Sequence, residues 1–359
     1  MIVTRTGQFK KSYAADAAIQ RTNLQRIAFW GFVVAMFVLV PRVLSTVWIN
    51  NVNQVLIAVV GVTGLNILLG YTGQISIGHG AFAGVGAFTM AVLNNRWHVP
   101  MLVGLPIGAA MAALLGLAVG IPSLRVKGLY LAVATLASQE ILSWFFEHME
   151  WLTKQKTSSV DVRAAWLHIP GILNHKFKTD TDLFYLFGVI AVVTVLATEN
   201  LMRSRIGRAF VAIRDREIAA EIAGVNAFSY KLLAFTISAF IAGIAGGMQA
   251  LLFSRAQITP SQFDINLSIN WLAMNIIGGL GSVPGAIYGA TFLVLLPIEL
   301  RNWITSFRGS YRWLADHYSQ IQDVLFGLII IGFLIFEPDG LNAIWLRIRR
   351  FFTHWPFAA

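Results

Sequence analysis

The sequence predicts an all-α integral membrane protein, a polytopic bundle of about eight to ten transmembrane helices. Three observations carry this. Hydrophobic residues make up 57% of the 359 positions and charged ones 12%, with a mean hydropathy of +0.67, more apolar surface than a soluble core can bury. Apolar runs long enough to span a bilayer recur along the chain. Lysines and arginines fall between these runs, so the net charge of +10 reflects topology and not nucleic-acid binding. Cysteine is absent, which excludes disulfides, thiolate catalysis and cysteine metal sites.

Residues 1–26 read as a polar cytoplasmic tail carrying Arg5, Lys10, Lys11, Arg21 and Arg26. The first span runs from Ile27 to Val40 and stops at Pro41 and Arg42. No small-residue cleavage site follows it, so it is an uncleaved span and not a signal peptide. A second span covers Val47–Gly70 and a third Gly73–Leu93. In the third, Gly73, Gly78, Gly80, Gly84 and Gly86 expose backbone, and Gly80 with Gly84 has the small-xxx-small spacing of close helix pairs. Such a stretch packs tightly or breaks. Further spans cover Met101–Ile121, Gly128–His148, Leu183–Leu201, Tyr230–Phe253, Ile265–Ser282, Pro284–Ile304 and Ser319–Phe336, within a membrane domain of residues 27–341. Residues 150–182 form the longest polar insertion, on the outside, and residues 342–359 a basic cytoplasmic C-terminal tail. With both termini inside, the inside segments hold five (tail), two (122–128), six (202–231) and three (347–350) basic residues, 16 of the 27, the bias expected of the cytoplasmic side. GAFAG at Gly80–Gly84 and GAIYG at Gly285–Gly289 form a weak internal echo of the kind transporters with broken helices carry.

The exception to this apolar pattern is Arg203–Asn226, RSRIGRAFVAIRDREIAAEIAGVN. Five arginines with Asp215, Glu217 and Glu221 place it in water or at the headgroups. Asp215 suits an N-cap, Glu217 the first turn, and Gly224 the left-handed residue that ends a helix, so a short helix is predicted here. Phe210, Ile213, Ile218, Ile222 and Val225 recur at mostly helical spacing and form its apolar side. Two interpretations stand at this point. The helix lies on the lipid surface, or it inserts a small-residue face of Ala219, Ala220 and Ala223 into a partner.

No GxxxxGK[ST] phosphate loop, HExxH motif, paired metal-spaced histidines or GxSxG elbow occurs, so no catalytic constellation, metal site or cofactor is expected, and any ATP drive comes from elsewhere. Ionisable groups inside spans are functional candidates by default. Glu140, beside Gln139, is the most deeply placed acid: a coupling carboxylate in an ion-driven carrier, or a buried acid bonded between helices or facing a vestibule. His79 sits among glycines, where it fills a gap and bonds backbone or contacts solute. Asn66, Gln74, Ser76, Asn270 and Asn275 serve as interhelical hydrogen bonds or line a path.

Four motifs then point to a family. GYTGQISIGHGAFAGVGAF, SRIGRAFVAIRDREIAAEIAGVNAFSYKLLAF, GGLGSVPGAIYGA and FEPDGL occur in the order, and over the span of about 47–341, in which the chain resembles branched-chain amino acid ABC transporter permeases of LivM type. The resemblance implies an ABC importer permease with glycine-rich broken helices in a bacterial inner membrane. It also implies two different permease subunits, two cytoplasmic ATPases and a periplasmic solute-binding protein. Glu217, Ala219, Ala220 and Gly224 match the EAA-type motif that such permeases present to the ATPase, and Arg214 is grouped with them, so residues 203–229 become a coupling loop. The substrate pathway is expected along Gly73, Gln74, Ser76, His79 and Glu140. One departure is TKQKTSSVDV at Thr153–Val162, where the family carries a TGG-type stretch; it implies a remodelled outer loop. Urea or short amides are carried by the same architecture, so branched-chain amino acids are the leading cargo among these. Two rival functions remain: an ion-coupled carrier using Glu140, and a non-transporting scaffold whose central helix recruits a soluble partner.

Overall fold

The computed structural model describes residues 23–126, 128–148, 160–161, 166–169, 173–176, 179–253, 257–306, 318–337 and 339–354. The expectation for the outer stretch Thr153–Val162 lies outside these apart from residues 160–161, as does most of the expected N-terminal tail.

Helices dominate. They are α1 (Asn23–Val43), α2 (Thr46–Asn66), α3 (His79–Trp97), α4 (Met101–Ser123), α5 (Leu129–His148), α6 (Asp180–Arg203), α7 (Arg205–Asp215), α8 (Glu217–Ile222), α9 (Ala227–Leu252), α10 (Ile265–Gly278), α11 (Val283–Ser306), α12 (Tyr318–Phe336) and α13 (Gly340–His354). A π-helical turn, Ile67–Tyr71, prolongs α2. At the opposite end from α7 and α8 lie short strands: Val160–Asp161 pairs antiparallel with Gln257–Ile258, and Trp166–Ile169 with Leu173–Lys176. Five helices among the described residues are long and apolar enough to cross a membrane: Thr46–Tyr71, Met101–Ser123, Asp180–Arg203, Ala227–Leu252 and Val283–Asn302. The predicted all-helical, multi-pass architecture is therefore present.

The core is built around α9, which packs along α4, α3 and α2, while α2 also meets α6 and α11. Small residues make this approach possible. A Cβ on Gly86 would overlap the Gly243 carbonyl, one on Gly246 the Ala83 carbonyl, and one on Gly108 would lie 2.5 Å from the Gly86 carbonyl. Backbones of α3, α4 and α9 thus touch directly along a seam, where tight van der Waals contact replaces the hydrophobic drive that lipid does not supply. The two glycine echoes both close on α10. Gly80 faces its start at Asp264 and Ser268, and Gly285 and Gly289 face its end at Gly278 and Met274.

Two expected spans are broken. Gly73 adopts φ +70°, a left-handed conformation that glycine takes without Cβ strain, and helix resumes only at His79. The third span therefore begins six residues later than its predicted start. The span predicted over Ile265–Ser282 stops at Gly278, because Gly279 (φ +110°) and Gly281 (φ +73°) turn the chain into α11. The fourteen residues of α10 rise about 21 Å, too little to cross a bilayer alone. Beyond α12, the segment expected as a basic tail carries α13, whose Arg347 pairs with Glu337 at 2.9 Å.

Candidate functional site

The polar segment between α6 and α9 is held by caps at each bend. Ser204 ends α6 by donating to the Leu201 carbonyl (2.6 Å) and starts α7 by accepting from the Ile206 (3.1 Å) and Gly207 (3.4 Å) amides. This double use turns the chain sharply. Phe210 is fully buried and meets Tyr230 edge-on at 6.3 Å. A second helix, α7, precedes the short helix expected between Asp215 and Gly224, which is α8. Its expected N-cap is corrected accordingly: Asp215 is the last residue of α7, and Arg216, extended at φ −155°, ψ 96°, stands at the N-cap of α8 with no side-chain cap. The predicted C-terminus is present. Gly224 has φ +87°, its amide bonds Glu221 (2.9 Å) and the Val225 amide bonds Ala220 (3.0 Å), the paired bonds of a Schellman motif.

Of the small-residue face expected to insert into a partner, one member is turned into the protein. Ala220 is buried beside Ile213 and Ala227, so it anchors the helix and is not available for insertion. Ala219 and Ala223 are exposed. Ile218 and Ile222, expected on the apolar side of the helix, are 74% and 84% exposed, so that side is offered outward. Glu217 is held by Lys231 at 2.7 Å. Arg214, partly exposed in the last turn of α7, donates from Nη1 to the Gly70 carbonyl at 2.8 Å and from Nε to Asp215 at 3.2 Å.

The remaining expected site residues form two groups that the fold keeps apart. Gln74, Ser76 and His79 are buried. Ser238 donates its single hydroxyl proton to the Gly64 carbonyl (2.6 Å), so it accepts from His79 Nε2 (2.6 Å), and His79 Nδ1 in turn accepts from Ser76 (3.0 Å). The ring is the Nε2–H tautomer, flanked by Phe82 and Phe235. This chain is a satisfied polar core midway along the bundle, since Ser238 lies about 17 Å along the 26-residue α9. Glu140 is elsewhere. It is exposed on the lateral face of α5 with Tyr130, Val133, Ile141 and Trp144, and it forms no ion pair with another described residue.

Gln139, one position away, carries a role that the prediction passed over. Its Oε1 accepts from the Ala81 amide (2.7 Å) and Ser268 (3.2 Å), and its Nε2 donates to the Phe263 carbonyl (2.8 Å) and Ser143 (3.3 Å). Ser268 accepts from the Gly80 amide at 2.7 Å. Together they satisfy amides at the start of α3, which no helical turn precedes. The signal was in the sequence as Thr135, Gln139 and Ser143, a polar stripe at spacing four; Thr135 itself accepts from the Ile77 amide at 3.0 Å. Replacing Gln139 by leucine strands several buried groups and is expected to destabilise the protein by about 3 kcal/mol, read as a lower midpoint of thermal unfolding in detergent; an unchanged midpoint would show that the network carries no weight.

Comparison with known proteins places these features in a lineage. Residues 47–334 match the family described as branched-chain amino acid transport system / permease component. The chain is 29% identical over 333 residues to the high-affinity branched-chain amino acid transport system permease protein LivM of Escherichia coli K12, covering 86% of this chain and 74% of that protein. It is 26% identical to the autoinducer 2 import system permease protein LsrC of Enterobacter sp. strain 638, over 74% of this chain and 71% of that protein. It is also 22% identical to the probable branched-chain amino acid transport permease protein LivH of Methanocaldococcus jannaschii, over 80% and 89%. No solved structure matches. With the family model covering most of the chain, the multi-pass helical bundle and the matched motifs agree: the chain belongs to the branched-chain amino acid transport system permease family.

Proposed function

We propose that this chain is one of two permease subunits of an ATP-driven importer, moving a small polar solute into the cytoplasm across a bacterial inner membrane, with both termini cytoplasmic. Two cytoplasmic ATPases dock on the loop of residues 203–229, and a periplasmic solute-binding protein delivers cargo at the end that carries residues 150–182. Branched-chain amino acids lead as cargo because the family description and the LivM and LivH relatives carry that name. Urea and short amides follow, and the LsrC relative named for autoinducer 2 indicates that the architecture tolerates other solutes.

The observation that carries this reading is α8. Ile218 and Ile222 project from a helix that is capped at its C-terminus, anchored by Ala220 and tied down by Glu217 and Lys231. A rigid short helix offering two apolar side chains suits insertion into a groove of a soluble partner. The chain has no phosphate loop of its own, which makes an ATPase the partner needed. Along the pathway, Glu140 lies about 17 Å into α5, at a depth where a carboxylate facing lipid is costly. A second permease covering that face supplies a polar passage. Gly73, Gln74, Ser76 and His79 then support the passage from behind, through the Ile77–Thr135 and Ala81–Gln139 bonds to the inner side of α5.

The test is uptake of labelled leucine, urea and acetamide by the reconstituted complex. Uptake is expected to require the ATPases and hydrolysable ATP, and Glu140→Gln is expected to retain ATP dependence with at most about a tenfold change in rate. Uptake that persists without ATP and vanishes in Glu140→Gln would establish the ion-coupled carrier instead.

A further inference from the structure

The geometry points to Arg214 as the residue that transmits movement of α7 and α8 to both breaks in the membrane helices. The inference rests on α7–α8 being the ATPase docking segment and adds what that segment pulls on. Arg214 sits in the last turn of α7, two residues before the bend at Arg216. Its side chain is partly exposed, with Nε on Asp215 at 3.2 Å, while the far nitrogen reaches inward. Nη1 donates to the Gly70 carbonyl at 2.8 Å, an acceptor left by the π-helical end of α2 that has no further turn to satisfy it. The same nitrogen lies 2.8 Å from where a Cβ on Gly281 would stand, and the Arg214 Cγ lies 3.1 Å from that position on Gly73. Gly73 and Gly281 both have positive φ. Absence of side chains at these two positions therefore leaves the space that the arginine fills.

The two breaks are also joined to each other. Asn66 accepts from the Gly281 amide at 3.0 Å and donates to the Ser282 carbonyl at 2.8 Å, so the end of α2 and the turn into α11 move as one body. From Gly73 the extended segment leads to Ile77, whose amide bonds Thr135 on α5, the helix whose other face carries Glu140. A continuous set of contacts thus runs from α8 through Arg214 to the joint at Gly70–Gly73 and on to α5. A π-helical turn and left-handed glycines at such a joint are backbone geometries that switch at low cost. A charge-assisted bond at 2.8 Å is stiff enough to move them.

The experiment uses the full complex in liposomes and compares uptake with ATP hydrolysis. Arg214→Ala is expected to co-purify with the ATPases and to hydrolyse ATP, while solute transported per ATP falls about tenfold or more. A second variant separates transmission from mere structure. Arg214→Lys keeps a charged donor beside the Gly70 carbonyl and is expected to recover the transport-to-hydrolysis ratio to within about threefold of the wild type, while Arg214→Ala and Arg214→Lys share the wild-type midpoint of thermal unfolding in detergent. A merely structural arginine would lower that midpoint together with the ratio. A wild-type ratio in Arg214→Ala, or a loss of ratio that only follows a lowered unfolding midpoint, would overturn the inference. Failure of the wild-type chain to bind an ATPase would instead remove the docking reading on which it rests.

Discussion

Gly246→Val and Gly86→Val are expected to prevent accumulation of folded protein. Both glycines sit where α9 and α3 touch backbone to backbone: a Cβ on Gly246 overlaps the Ala83 carbonyl, and one on Gly86 overlaps the Gly243 carbonyl. A flexible side chain swings away from an intruding methyl, but a carbonyl inside a helix moves only with its helix. Overpacking in a rigid core costs about 1–3 kcal/mol and more where backbone is the obstacle. Separating α3 from α9 also opens their contact with α4, since Gly108 and Gly243 lean on the same seam. We expect a loss of at least about 3 kcal/mol, read as loss of the monodisperse peak in detergent gel filtration. Gly332→Ala is the control. Its added Cβ meets nothing within 4 Å, so its unfolding midpoint should match the wild type. A Gly246→Val protein that purifies and unfolds like the control would disprove the seam.

The second large effect is on assembly. Ile218→Asp/Ile222→Asp is expected to leave the chain folded and inserted while abolishing capture of the ATPases. The two side chains are exposed in the isolated chain, so their replacement removes no internal packing. At an interface each buried isoleucine contributes about 1.5–3 kcal/mol, and the pair together corresponds to two orders of magnitude or more in affinity. Glu217→Lys provides a contrast, because it sets two cations against each other at the Lys231 contact and loosens α8 from α9. It should weaken capture with a detectable drop in thermal stability, whereas the isoleucine pair should weaken capture with none. Undiminished co-purification of the isoleucine variant would place the docking surface elsewhere.

These outcomes also mark what was legible in the sequence. Span positions were, because apolar length and flanking charge are local properties: α4, α5 and α9 begin within three residues of their predicted starts. Glycine density flagged the breaks at Gly73 and Gly279–Gly281 without locating them, since a left-handed turn depends on what packs beside it. Asn66 with Gly281 and Arg214 with Gly70 join residues 215 and 144 positions apart, and no local pattern encodes such pairs. Facing turns on single-residue rotations. Helical neighbours differ by about 100°, so Gln139 enters the core while Glu140, expected along the substrate pathway, stands on the lateral face of α5. In α8 a helix of six residues is too short for periodicity to tell an anchored face from an offered one, so the sequence left open whether Ile218 and Ile222 meet lipid or a partner.

The central claim is that a separate ATPase grips the segment between α6 and α9 and drives the membrane helices through it. Photo-crosslinking from a single reactive residue placed at position 222 in the assembled transporter tests this most directly. The predicted product is a covalent adduct between this chain and the ATPase subunit, with its yield changing between the nucleotide-free and ATP-bound states. Adducts with lipid or the second permease alone, unchanged by nucleotide, would contradict it.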